Sequence, residues 1–246
     1  MTSTTSSTKP STRPTTPRPT TTTPAATTTA TWQVPASLRG LDVEVVPTSR
    51  RVVALTFDGG SSDAGVASVL ATLRAAGIKA SFFLTGDFSR RYPSQARRIA
   101  AEGHRIGNHS DRHLDYTGLT NAAIRADLAR AEVAVRDAAG VTPRPLFRFP
   151  FGARTPADIR VVNDAGYVAV RWTVDTLGWK GSSGGSSVPS VRQRVLDALR
   201  PGEIVLLHLG ANPDDGTTLD ADALPSIIQT LRDKGYGFIT LDALLG

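Results

Sequence analysis

Short apolar runs alternate with amphipathic stretches about seven times between residue 51 and the C-terminus, and this alternation constrains the fold more than any other feature of the chain. The runs lie at 51–57, 80–84, 104–107, 146–149, 167–174, 204–208 and 238–241, and most are dominated by Val, Ile, Leu, Phe and Ala. A strand that must bury only one face alternates apolar with polar residues, whereas an unbroken run suits a parallel strand covered on both faces by helices. The intervening stretches 64–76, 93–101, 120–139, 156–165, 188–199 and 223–234 read as those helices. In the longest, Ile124, Leu128, Ala131 and Val135 fall on one stripe behind a Thr120 cap. The expected architecture is an α/β fold, a (β/α) barrel or a distorted variant, and in that class reactive side chains gather at the C-terminal ends of the strands.

Upstream of residue 51 the pattern disappears. Residues 1–31 are mostly Thr, Ser, Pro and Ala, too poor in apolar side chains to build a core and without the apolar segment of a signal peptide. They are expected to form a disordered stalk of the kind that holds domains outside the cytoplasm, with a secretion or lipid-anchor segment upstream of this chain. Residues 32–50 read as a lead-in containing one short strand near 43–46, and 51–246 as the catalytic domain. No run of 18 apolar residues exists to span a membrane. Cysteine is absent, so any metal must be held by His and Asp or Glu. The net charge is +6, but Lys9, Arg13 and Arg18 lie in the stalk, leaving about +3 for the rest. The basic run Ser89-Arg90-Arg91-Tyr92 with Arg97-Arg98 is short and suits a solvated helix face, so nucleic acid is not an expected partner, and a monomer is expected.

The rim expectation can be checked against where the reactive residues fall. Asp58 closes the first run, His109 and His113 follow the third, Arg148 sits near the end of the fourth, Asp175 follows the fifth and His208 ends the sixth. All of them land at the same ends of their strands. The chain has only four histidines, and two of them stand four residues apart. On a helical turn that spacing puts Cβ atoms roughly 5–6 Å apart on one face, within reach of a shared metal ion. A catalytic site would add an oxygen ligand, and a further carboxylate as general base for the attacking water. Asp58 and Asp63 are the nearby choices, one for each task. His104 reads as a strand-entry polar residue, Asp111 and Asp115 as loop braces, and Asp214-Asp215-Gly216 as a turn without calcium-loop spacing.

Thr56-Phe57-Asp58-Gly59-Gly60, His109-Ser110-Asp111-Arg112-His113, Arg148-Phe149-Pro150-Phe151, Trp172-Thr173-Val174-Asp175-Thr176-Leu177-Gly178-Trp179 and Leu206-Leu207-His208 resemble, in order and spacing, the five motifs of the polysaccharide deacetylases of carbohydrate esterase family four, the NodB-type homology domain. The resemblance implies a distorted (β/α) barrel, a divalent metal that is usually zinc, and removal of acetyl groups from amino sugars of a polysaccharide such as peptidoglycan or chitin, or from xylan. It makes Asp58 the general base, His109 and His113 metal ligands, Arg148 the residue that orients Asp58, and His208 the general acid. Phe151 would offer a backbone N–H to the oxyanion, Trp179 and Leu206 would line the acetyl pocket, and Asp175 would belong to the substrate site. Two departures stand out. The first motif usually carries a second, metal-binding aspartate where this chain has Gly59, and the fourth usually carries an aspartate paired with the catalytic histidine where this chain has Gly178. Asp63, five residues after Asp58, is the expected replacement ligand, with capping of the helix that begins at residue 64 as its alternative role. A wall-binding pseudoenzyme, or a metal-independent relative acting on cyclic amides, are the competing readings.

Overall fold

The computed structural model describes residues 1–7 and 32–245. The chain divides into two units, 1–31 and 32–246. Of the first, residues 1–7 carry no helix or strand, and the stalk expectation otherwise falls outside the described residues.

The second unit is a curled parallel sheet wrapped in helices. Its strands are β1 (Asp42–Val43), β2 (Val52–Gly59), β3 (Ser81–Leu84), β4 (Arg105–Asn108), β5 (Leu146–Phe147), β6 (Val168–Val170), β7 (Val174–Asp175), β8 (Glu203–His208) and β9 (Gly237–Ile239). Its helices are α1 (Val66–Ala75), α2 (Gly86–Arg91), α3 (Pro93–Ala101), α4 (Asn121–Ala139), α5 (Pro156–Asp164), α6 (Val188–Asp197) and α7 (Leu219–Asp233). The sheet runs in the order β1-β6-β5-β4-β3-β2-β8-β7, and β9 pairs with the start of β2, on the edge that β3 takes over further along.

The run expected as one strand at 167–174 is two, and the break shapes the barrel. β6 lies next to one end of the sheet and β7 forms the other end, yet only Arg171, Trp172 and Thr173 separate them in sequence. Arg171 N–H still donates to the carbonyl of Val43 in β1, and two residues later Thr173 N–H donates to Ile204 on β8. The two ends of the sheet must therefore approach each other, and the barrel is closed by covalent chain instead of a hydrogen-bonded ladder. The lead-in is part of this unit: β1 pairs with β6, Val45 bridges Glu203, and Val34, Leu38 and Val46 are buried.

Alternation along the strands sorts the core into faces. On β2, Val53, Leu55 and Phe57 face the helices, and Phe57 stacks on Phe82 with ring centroids 5.0 Å apart. Truncating Phe57 to Ala is expected to cost ~3–5 kcal/mol, the range for a buried aromatic. Ala54 faces inward with Phe83, Leu146 and Ile204, over a floor that includes Leu38, Val46, Leu241 and Leu244. The same alternation sends Asp58 inward on β2, and Leu206 and His208 inward on β8. The ladder register sets Asp58 opposite His208. At the N-terminal end of β8, Glu203 is wholly buried with neither carboxyl oxygen hydrogen-bonded, and burial pushes its pKa up to about 8.

Candidate active site

The inward ends of β2, β4, β5 and β8 open into a cleft of about 700 Å³. Among its lining residues are Asp58, His109, His113, Phe151, Asp175, Trp179, Leu206 and His208. Asp58 sits at the inner wall, 7 % exposed. Arg148, which follows β5, lays its guanidinium 4.1 Å from the Phe83 ring centroid and directs Nη1 to Asp58 Oδ1 at 2.7 Å. Its other nitrogens donate to the carbonyls of Val170 and Arg171, so the cation is held by fixed backbone. Gly107 makes room for this stack, because a Cβ there would lie 2.7 Å from the Phe83 ring. Burial alone would raise the Asp58 pKa, but the Arg148 guanidinium, with His208 alongside, holds it below the usual carboxylate range. Asp58 is therefore ionised and carries a lone pair into the cleft.

The segment 109–113 is a loop and not the helical turn that the spacing suggested. Ser110 and His113 both adopt positive φ, 70° and 56°, and these two residues bring the imidazoles to 4.9 Å between centroids. The loop is pinned from behind. Asn108 Oδ1 accepts from Ser110 N–H, Ser110 Oγ accepts from His113 N–H, and the carbonyls of Ser110 and Asp111 accept from Gly86 and Asp87 at the start of α2. The Asp111 carboxylate points away from the cleft to Arg90 at 2.8 Å and Arg130 at 3.2 Å, so it braces the loop.

His109 Nδ1 lies 2.9 Å from the Arg148 carbonyl, which can only accept, so the ring proton belongs on Nδ1. Burial lowers the His109 pKa and keeps the ring neutral. The lone pair of Nε2 then faces Asp58 Oδ2 at 3.2 Å, two electron-rich atoms with no proton between them. A cation at that edge relieves the contact. Burial, with His109 alongside, pushes His113 down to about 4, so both imidazoles are free to bind a metal at neutral pH.

Asp63 does not join them. Its Oδ2 accepts from Gln95 Nε2 at 3.0 Å, which ties the loop after β2 to α3, and Asp63 does not line the cleft. Nor does it cap α1, whose N-cap is Gly65 without a side-chain bond. Among the described residues, no three His, Asp or Glu side chains are gathered closely enough to hold a metal by themselves. The histidine pair suits a metal ion, and the expected carboxylate beside it is missing.

Phe151, Trp179, Leu206 and Asp175 all reach the cleft, as expected from the sequence. Phe151 is held at φ 59° by the Pro150–Gly152 turn, 67 % exposed, with its ring 4.4 Å from that of His113. A left-handed conformation costs a non-glycine residue roughly 1–2 kcal/mol, a strain tolerated mainly where position matters for function. Asp175 accepts from Leu177 N–H at 2.8 Å and Trp179 Nε1 at 3.4 Å, which fixes the Trp179 ring at the rim.

One residue of the site was missed in the sequence. α7 begins at Leu219, four residues before the expected 223. Asp220 lies in its first turn, 3 % exposed. Its Oδ2 accepts from His208 N–H at 2.8 Å and lies 3.4 Å from His208 Nδ1, an ion-pair separation not yet closed to a hydrogen bond. Burial would lower the His208 pKa, but Asp220, with Asp58 and Asp175, holds it above its ordinary value.

Comparison with known proteins agrees with this geometry. Residues 45–170 match the polysaccharide deacetylase family. The chain is 32% identical over 198 residues to a peptidoglycan-N-acetylglucosamine deacetylase of Bacillus cereus, covering 80% of this chain and 70% of that protein. It is 30% identical over 191 residues to a chitooligosaccharide deacetylase of Sinorhizobium fredii, covering 75% and 87%. A solved CE4 family pseudoenzyme from Bacillus anthracis superposes with a TM-score of 0.72 at 26% identity, covering 80% of this chain and 66% of that one. With the parallel curled sheet, the inward Asp58 and the paired histidines in place, the chain belongs to the polysaccharide deacetylase family.

Proposed function

We propose that this protein is a divalent-metal-dependent hydrolase that removes acetyl groups from N-acetylated amino sugars of peptidoglycan or a chitin-like polymer. The observation that carries the reading is the placement of Asp58, its pKa lowered, opposite His208, its pKa raised, on neighbouring strands of one cleft. Asp58 accepts a proton from water as the water oxygen bonds to the acetyl carbon. His208, protonated, gives its proton to the sugar nitrogen as the C–N bond breaks, leaving acetate and a free amine. Arg148 keeps Asp58 aimed and ionised; stripping it away would leave a buried carboxylate uncompensated, at a cost of ~3–5 kcal/mol. His109 and His113 are the residues that would hold the metal, which when bound supplies Lewis acidity to the acetyl carbonyl. Phe151 and Trp179 are exposed apolar faces on which a sugar ring can stack, and Leu206 packs beside the acetyl methyl. Zinc is the expected ion, and the Thr/Ser/Pro-rich residues 1–31 favour action outside the cytoplasm.

Acetate release is the direct test. The protein is incubated with acetylated chitooligosaccharides and with peptidoglycan, with zinc and with a chelator. Release that the chelator suppresses is expected. No acetate from either polymer in the presence of zinc would overturn the proposal in favour of a second reading, a polymer-binding pseudoenzyme. That reading draws on one observation, the absence of a carboxylate at Gly59 that Asp63 does not replace.

A further inference from the structure

His208 has a carboxylate partner that comes from outside the five motifs. The residue standing where the fourth motif would place an aspartate is Gly178, and the volume beside it is already filled: a Cβ on Gly178 would fall inside the van der Waals envelope of Asp220 Oδ1. Asp220 cannot easily yield, because Thr176 Oγ1 donates to Oδ1 at 2.6 Å and His208 N–H donates to Oδ2 at 2.8 Å. These two hydrogen bonds come from β8 and from the segment after β7, and they clamp a buried carboxylate against the imidazole. Its place in the first turn of a fifteen-residue helix adds the positive end of the helix dipole. A carboxylate buried to 3 % exposure normally requires a paired cation, and the group at ion-pair distance is His208. The remaining aspartate of the fourth motif is committed elsewhere, since Asp175 holds Leu177 N–H and the Trp179 indole.

We propose that Asp220 is the positioning carboxylate of His208: it reaches in from the start of α7, occupies the space that Gly178 leaves, and fixes the orientation and charge of the imidazole that serves as general acid. The role rests on the deacetylase reading given above, but the geometry can be tested without it. The charged or titratable groups that face His208 are Asp220 on α7, Asp58 on β2, Asp175 on β7, and His109 and His113 across the cleft. Among the described residues, only Asp220 contacts both the backbone N–H and Nδ1 of His208.

The test compares wild type with Asp220→Asn, Gly178→Ala and the relocation pair Gly178→Asp/Asp220→Ala. His208 is followed through its ring proton in a metal-free NMR titration, assigned with His208→Gln, alongside melting temperature and the pH profile of acetate release. Asp220→Asn keeps the shape and removes the charge. It should lower the His208 midpoint by about one unit or more, move the alkaline limb of kcat to lower pH by the same amount, and reduce kcat ~10–100-fold, the range for a displaced acid or base. Gly178→Ala leaves α7 untouched and crowds Oδ1, so it should shift the midpoint in the same direction even if Asp220→Asn folds poorly. The relocation pair should recover most of the lost kcat. A lowered melting temperature with the His208 midpoint unchanged in both single variants would reduce Asp220 to a structural anchor and overturn the proposal. Wild type that releases no acetate would remove the deacetylase reading, and the titration would still decide the pairing of Asp220 with His208.

Discussion

Gly59 and Gly178 each stand where related motifs carry an aspartate, and the structure treats the two gaps differently. Beside Gly178 lies the start of α7, close enough for Asp220 to place its carboxylate in the vacated volume. Behind Gly59 lies an apolar wall: a Cβ there would meet Leu84 Cδ2 at 2.8 Å, Leu209 Cδ1 at 3.1 Å and Phe88 Cδ2 at 3.5 Å. The three nearest atoms there are all apolar, and Asp63, the next acid along the chain, is turned to Gln95. A missing charge can be replaced from a distant element only where a backbone end, with its unpaired N–H groups, already faces the gap. The proposed acid side of the cleft meets that condition and the proposed metal side does not.

The most severe way to probe the metal side is to remove a ligand. His109→Ala or His113→Ala should abolish both bound zinc and acetate release, because a site that starts without its carboxylate has no ligand to spare. Elemental analysis after gel filtration reads the outcome, and a stoichiometric metal in either variant would show that the histidines do not hold it. Asp58→Asn separates base from ligand: a roughly 10²-fold loss in kcat with zinc retained is expected, and zinc lost with the carboxylate would make Asp58 the oxygen donor that the metal side lacks. Glu203 extends the comparison to a buried acid whose side chain has no ion-pair partner among the described residues. Its folded pKa of about 8 lies above the ordinary 4.5, so the unfolded chain ionises first. Stability should fall as pH rises through that window, by at most about 1.4 kcal/mol per pH unit, and level off above it. Urea unfolding between pH 5 and 9 should lose that slope in Glu203→Gln. The smallest effect belongs to Asp63→Ala, which should leave zinc affinity within about twofold and lower stability by about 1 kcal/mol through the lost Gln95 bond. A tenfold weaker zinc affinity would restore Asp63 to the metal site and close the gap at Gly59 from a conformation other than this one.

What could be read from the chain alone follows from range. Strand and helix order, the inward rim and the placement of Asp58, Arg148, His109, His113 and His208 rest on local patterns, namely apolar runs, period-two alternation and strand ends. The strand at 167–174 was harder, since Val168–Val170 and Val174–Asp175 are both apolar segments and only the opposite pairing partners, β1 and β8, reveal that they are two. The His109–His113 separation was legible as proximity but not as mechanism, because a helical turn and a loop with two left-handed residues deliver the same result. Asp220 was out of reach: it is twelve residues beyond His208, ahead of the expected helix start at 223, and only the packing of α7 against Gly178 gives it a role. Sequence proximity favoured Asp63 for the opposite reason, since nothing local indicates that Gln95 will capture it.

The placement of β8 beside β2 has a consequence for how the protein is made. The hydroxyl of Thr56 donates to Val205 across 149 residues of chain, and Asp58 meets His208 in the same ladder. Chains dominated by such distant pairings fold slowly, since the entropy of closing a long loop is lost before the contacts that reward it form. The histidine pair, Asp58 and Arg148 are all present once residue 148 has been synthesised, whereas His208 and Asp220 arrive some sixty residues later. During synthesis the half of the cleft that carries the proposed metal ligands is therefore made before the proposed proton donor, and hydrolysis by the proposed mechanism needs the last third of the chain in place.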